Sequence, residues 1–373
     1  MRLIFGIFGL LLLAVVISDA VQTVVVARCA ESPPRVTRFF YRLTWTPFAA
    51  VARRIKSGVR RENYLSLYGP LSLLMLLSCW ALGLIIGFAI LQWSIGLQFN
   101  VSVSSFANDV YFSASSFFTL GLGEPLNLAS KYLMVLEAGI GFSFLGLVIS
   151  YLPVLYQAVS DRELRISLLD ARAGSPPSAV EFLLRRGSDP DRLEQRLADW
   201  EEWALELLQS HLSYPMLAYY RSQHPNQSWL GTLTVVVDIS ALVILGSDSH
   251  LKRQAEFTFA AGRHALVHVT SIFGIGPCGP NVDRLSSEEF SQLCDAISAS
   301  DAPLRSEWIS RSELEKLKAM YEPYANALSA YFLMAIPHWI GSVRTSENWR
   351  ATSWEKLEAL FVVSDPFKHK PNP

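Results

Sequence analysis

The chain has 373 residues, of which 51% are hydrophobic and 17% charged, with a formal net charge of −1. A soluble domain usually carries more charge, so the composition points to a membrane protein and gives no sign of a nucleic-acid partner. The four cysteines, Cys29, Cys79, Cys278 and Cys294, form no CxxC pair, which argues against a disulfide framework or a zinc site.

Three stretches, about 3–27, 71–93 and 132–156, are apolar and approach the ~20 residues a helix needs to cross hydrocarbon. Read as a signal peptide, the first would be cleaved near Ser18–Ala20. The segment after it carries Arg28, Arg35, Arg38, Arg42, Arg53, Arg54, Lys56, Arg60 and Arg61, a density that marks a cytoplasmic loop. Cleavage would leave that loop outside, so the first stretch reads as a retained anchor with its N-terminus outside. Phe39, Phe40, Tyr41, Leu43, Trp45 and Phe48 interleave with the arginines, as in an interfacial segment facing anionic lipid. The second span then runs outward and the third returns. Up to Ser160 there are 11 basic and 6 acidic residues, and beyond it 21 and 27, so an acidic tail follows a basic front.

The domains read as 1–27, an N-terminal anchor; 28–65, a basic cytoplasmic or interfacial segment; 66–160, a pore unit; and 161–373, an α-helical cytoplasmic domain. In the tail, Asp189-Pro190 opens a helix in which Leu193, Leu197, Trp200, Ala204, Leu207 and Leu208 recur at helical spacing. Ser286 with Glu289, and Ser312 with Glu315, have capping-box spacing. Residues 229–246 are apolar but short and contain Asp238, and read as a buried core helix. Pro34, Pro176-Pro177 and 274–280 mark loops.

The segment 111–124, YFSASSFFTLGLGE, lies between two opposed spans and is too short and polar to cross. A re-entrant pore helix over about 106–118, followed by an extended loop, is the natural reading, and such a loop must be buried in protein or line water. Here the sequence resembles pore-loop potassium channels of the two-transmembrane type, whose loop reads Thr-Val-Gly-Tyr-Gly-Asp. The matching residues are Thr119, Leu120, Gly121, Leu122, Gly123 and Glu124. The wider pattern is similar to bacterial channels with an extra N-terminal span and a helical tail. The resemblance implies an all-α membrane protein of outer helix, pore helix, filter and inner helix. It implies a homotetramer in the cell membrane, with potassium held by Thr119, Leu120, Gly121 and Leu122 and with no cofactor.

Physical chemistry supports the same residue types. Stacked carbonyls replace an ion's water shell only if successive residues alternate in handedness, which glycine permits at Gly121 and Gly123. Thr119 adds a hydroxyl. Leu122 departs from the usual aromatic, keeping apolar bulk without a polar handle. That leaves a poorly selective cation pore as one alternative. The other is a membrane-anchored interaction module with a vestigial pore.

The third span carries Gly139, Gly141 and Gly146. Gly141 and Gly146 match the family's gating hinge spacing, while packing at small residues is the plainer alternative. Leu145, Ile149 and Leu152 could form an apolar ring below them, and Pro153 a kink. Asp19 and Glu137 are ionisable groups inside spans, and Glu137 is expected to bond Ser115 or Ser116 behind the filter. Gly274-Ile-Gly276-Pro-Cys-Gly279 fits GxGxxG, but prolines stand where a phosphate-binding helix should begin, so it reads as a loop. His264 and His268, four apart and without HExxH, read as an ordinary histidine pair. No nucleophile–base pair or metal cluster suggests an enzyme.

Overall fold

The computed structural model describes residues 2–24, 36–56, 58–96, 105–122, 127–186, 189–224, 226–248, 250–279 and 283–341. Arg28, Cys29, Pro34, Arg35, Gly123, Glu124 and Pro280 lie outside them. Among the described residues the architecture is all-helical, and four helices are long and apolar enough to cross a membrane. The chain divides into two units, residues 1–161 with 209–221, and residues 162–208 with 222–373.

In the first unit, α1 (Arg2–Val24) packs along α4 (Tyr68–Ile95). Lipid is as apolar as leucine, so a close fit must hold such a pair. A Cβ on Gly87 would meet Leu13 at 2.7 Å, and one on Gly83 would meet Val16 at 2.9 Å. Small residues on α4 therefore let the α1 side chains seat against its backbone. A polar clasp adds to the fit. Buried Asp19 accepts from the Trp80 indole N–H at 2.9 Å, and from the Thr37 hydroxyl and backbone N–H at 2.7 and 3.2 Å. Asp19 thereby joins α1, α4 and the start of α2 (Val36–Arg54).

Helix α2 is two-faced. Phe39 and Leu43 are exposed, whereas Tyr41 and Trp45 are buried. The buried face enters an aromatic cluster: Tyr41 stacks on Tyr219 at 5.2 Å, and Trp45 meets Tyr68 edge-on at 4.8 Å. Phe48 stacks on Tyr64 of α3 (Val59–Ser66) at 4.3 Å. Only one face of the segment is thus left for an interfacial role. Gly96, with φ 79, closes α4 in a left-handed cap. Helix α5 (Phe106–Phe117) and the long α6 (Leu128–Ala173) complete the pore unit, α6 contributing residues up to Asp161.

The second unit builds on α7 (Ala179–Arg186), α8 (Pro190–Ser213), α9 (Trp229–Gly246), α10 (His250–Ile272), α11 (Ser287–Ser298), α12 (Arg311–Ala319) and α13 (Glu322–Phe332). Asp189 caps α8 by accepting from Arg192 N–H at 3.2 Å, and the predicted leucine–tryptophan stripe of that helix is buried. Ser286 and Glu289 form a capping box on α11. Ser312 and Glu315 do not: α12 begins earlier, after Ser310, and the Ser312 hydroxyl meets that of Ser310 at 3.0 Å.

Helix α9 is apolar enough to cross a membrane, yet nearly every residue is covered by protein. A Cβ on Gly262 of α10 would fall 2.5 Å from Val237, so the two helices pack backbone to side chain. Fully buried Asp238 is held by Arg284 and by the Tyr321 hydroxyl. Arg284 also donates to the Pro337 carbonyl at 2.9 Å and to Glu322 at 2.9 Å. Burial pulls the Arg284 guanidinium down, but the Asp238 charge more than reverses this and keeps it protonated. Breaking a buried pair of this kind costs about 3–5 kcal/mol, because the survivor is left uncompensated.

Candidate functional site

Helix α5 starts at Phe106 and presents Asp109, Ser113, Ser116 and Phe117 to the interior of the unit. It stops at Phe118, where the backbone leaves helical geometry. Thr119 has φ 58 and Gly121 φ 69, so two left-handed residues flank Leu120. For a β-branched residue such as Thr119 this is a strained conformation, of a kind that persists at functional sites when its surroundings impose it.

The surroundings here are the end of α5. Phe118 N–H donates to the Ala114 carbonyl at 3.0 Å, Thr119 N–H to Ser116 at 2.9 Å and Leu120 N–H to Ser115 at 2.8 Å. Leu122 N–H donates to the Ser115 hydroxyl at 2.8 Å. These N–H groups are thus turned back onto the helix. Among the described residues no donor meets the carbonyls of Thr119, Leu120, Gly121 or Leu122. The segment is a strand of open carbonyls anchored by its amides, and its side chains are exposed on a single copy of the chain.

Two contacts hold this arrangement against α6. The Phe117 ring lies 5.9 Å from that of Phe144 on α6. A Cβ on Gly141 would run into the Phe117 carbonyl oxygen and lie 2.9 Å from its carbon, so α6 passes the end of α5 closely at Gly141. Gly139 and Gly146 have open space around them. The two glycines paired by spacing therefore differ: Gly141 is taken up by packing, and Gly146 is not.

Glu137 is fully buried, but its partners differ from those expected. Its carboxyl meets the Ser113 hydroxyl and accepts from Gln92 Nε2 of α4 at 2.8 Å. Ser115 is engaged by Leu122, and Ser116 donates to the Phe112 carbonyl at 3.0 Å. Ser113 lies two residues from Ser115, on a different face of α5, which is why it and not Ser115 meets α6. Gln92, the one amide side chain in an otherwise apolar span, was the available signal for this site.

The glycines of the tail loop stand apart from this region in sequence and chemistry. Gly274, at φ 63, follows the end of α10, and Gly276 and Gly279 continue as non-helical chain. His264 and His268 lie on an exposed face of α10 with ring centroids 4.1 Å apart. Among the described residues no group of three or more His, Cys, Asp or Glu could hold a metal.

A short helix between two long apolar helices, followed by a turn whose carbonyls meet no donor among the described residues, is the arrangement expected of a channel pore. Residues 74–157 match the family model Ion_trans_2, described as an ion channel. That stretch is an ion channel pore domain, within a chain whose candidate spans make it a multi-pass membrane protein. No curated protein and no solved structure matches the chain.

Proposed function

We propose that the chain is one subunit of a homotetrameric potassium-selective channel that conducts passively through residues 119–123. The observation that carries this reading is the pair of left-handed residues, Thr119 and Gly121, whose carbonyls meet no donor among the described residues. One segment supplies one wall of a site, and four walls can replace an ion's water shell with carbonyl oxygens. In the pore-loop potassium channels that residues 119–124 resemble, four such loops form the filter. Tyr132, Val135, Phe142 and Ile149 lie three and seven residues apart, on one face of α6, and form an apolar stripe exposed on a single copy, against which a neighbouring subunit would pack as readily as lipid.

In this reading the Thr119 hydroxyl lies at the cavity end, and Glu124 concentrates cations at the outer mouth. Gly146 is the better hinge candidate on α6, since Gly141 is held against α5. The basic segment 28–65 and the tail 161–373 face the cytoplasm. A cysteine placed at Arg54 should escape membrane-impermeant reagents added to intact cells, and labelling there would overturn this topology.

The test of function is purified protein in a planar bilayer under opposed potassium and sodium gradients. A reversal potential near the potassium equilibrium value is expected, with a mass of four protomers. A second reading, a poorly selective cation pore, is favoured by one feature: Leu122 is anchored by its N–H while its side chain is exposed. A reversal potential near zero would select it.

A further inference from the structure

The contacts of Glu137 require a proton that only Glu137 can supply. Ser113 Oγ lies 2.7 Å from the Ile85 carbonyl oxygen of α4, and it also closely approaches Glu137 Oε1. A serine hydroxyl carries one proton, and a backbone carbonyl can only accept. The two contacts need two protons. With the Ser113 proton on the Ile85 carbonyl, the Ser113–Glu137 contact is made by a proton on the carboxyl group; an ionised carboxylate would have to share that single hydroxyl proton with Ile85. The other carboxyl oxygen accepts from Gln92, consistent with an un-ionised acid.

Charge leads to the same state. Glu137 has no exposed surface. Helix α4 contains no charged residue, and α5 contains only Asp109, itself an acid, one turn from Ser113. From Tyr132 to Val148, α6 carries no other charge. Lys131, six residues before Glu137, lies on a different side of α6, and among the described residues of α4, α5 and this stretch of α6 no cation meets Glu137, so an ionised Glu137 would be buried at a strong cost.

We propose that Glu137 is a neutral carboxylic acid that clamps the pore helix to both flanking spans, and is thereby a positioning residue for the filter. It acts through Ser113 and α5, whose far end holds Thr119, Leu120 and Leu122 by their amides. The inference rests on reading 119–123 as the filter.

Infrared spectroscopy of the full-length protein in lipid tests it. The wild type should show the carbonyl stretch of a protonated carboxylic acid that is missing in Glu137→Gln and moves to higher frequency in Ser113→Ala, where a hydrogen bond is lost. In bilayers, Glu137→Gln offers a donor and an acceptor in the same places, so its current should stay within about twofold of wild type. Glu137→Ala and Ser113→Ala should each reduce current about tenfold, the scale of one buried hydrogen bond. Carboxylate bands in place of the acid band would overturn the proposal, as would Glu137→Gln conducting as poorly as Glu137→Ala. If Glu137→Ala does not assemble, the wild-type spectrum and Ser113→Ala still decide. A silent wild type that shows the acid band would sink the filter reading and leave the neutral acid standing.

Discussion

Gly121→Ala is expected to abolish conduction while leaving the tetramer intact. Gly121 sits at φ 69 with no atom within 4 Å of where a Cβ would go. Space is therefore not the obstacle. The obstacle is the left-handed backbone, which a Cβ penalises by about 1–2 kcal/mol. The relaxed alternative rotates the peptide and swings a carbonyl away from its neighbours. Four copies of that change act on one ion site, so a modest local strain has a total effect on permeation. Nothing in the packing of α4, α5 or α6 depends on the substituted atom, so size-exclusion mass should be unchanged. Gly279→Ala, in the tail loop, is the control and should leave current unaffected. Unaltered rate and selectivity in Gly121→Ala would mean that 119–123 is not the filter.

Gly141→Ala should fail for the opposite reason and at an earlier stage. Its backbone is ordinary helix, but the Cβ would strike the Phe117 carbonyl, which belongs to the rigid end of α5. Backbone cannot yield as a flexible side chain does. Overpacking of this kind costs about 1–3 kcal/mol or more in each copy. The relief available is a shift of α6 away from α5, which also pulls Glu137 from Ser113 and Phe144 from Phe117. Both the thermal stability of the detergent-purified tetramer and its current should fall. Gly146→Ala, in open space, should leave stability intact and report on bending alone. Equal stability of the Gly141→Ala and wild-type tetramers would refute the close approach of the two helices.

The spans and the left-handed turn of the chain after α5 were legible because each is specified locally. A Thr-x-Gly-x-Gly run needs no distant residue to state its backbone requirements, and an apolar stretch of sufficient length needs none to state its solvent. Asp189-Pro190 and Ser286 with Glu289 are legible likewise, since a cap is satisfied within one turn. Pairings between helices were not. Residues two apart on a helix point about 200° apart, so choosing Ser115 over Ser113 for Glu137 amounts to guessing the rotation of α5 about its axis. Asp19 posed the same problem over longer distances, its partners Thr37 and Trp80 lying 18 and 61 positions away. At α12, Ser310 stands two residues ahead of Ser312, and the chain takes the earlier start.

The buried Asp238 has a consequence during synthesis. Helix α9 leaves the ribosome as an 18-residue apolar segment, while Arg284 is 46 residues away and still unmade. At that moment the carboxylate has no partner, and a central aspartate opposes membrane insertion by about 2.5–3.5 kcal/mol. The residue that organises the finished core therefore also weighs, before the core exists, against entry of α9 into the bilayer. Asp238→Leu should remove that charge and thread α9 across the bilayer, carrying everything after it to the opposite side. A cysteine placed at Ser312 should then react with impermeant reagent from outside in the Asp238→Leu background and stay silent in the wild type; silence in both would show that something other than this charge retains the segment.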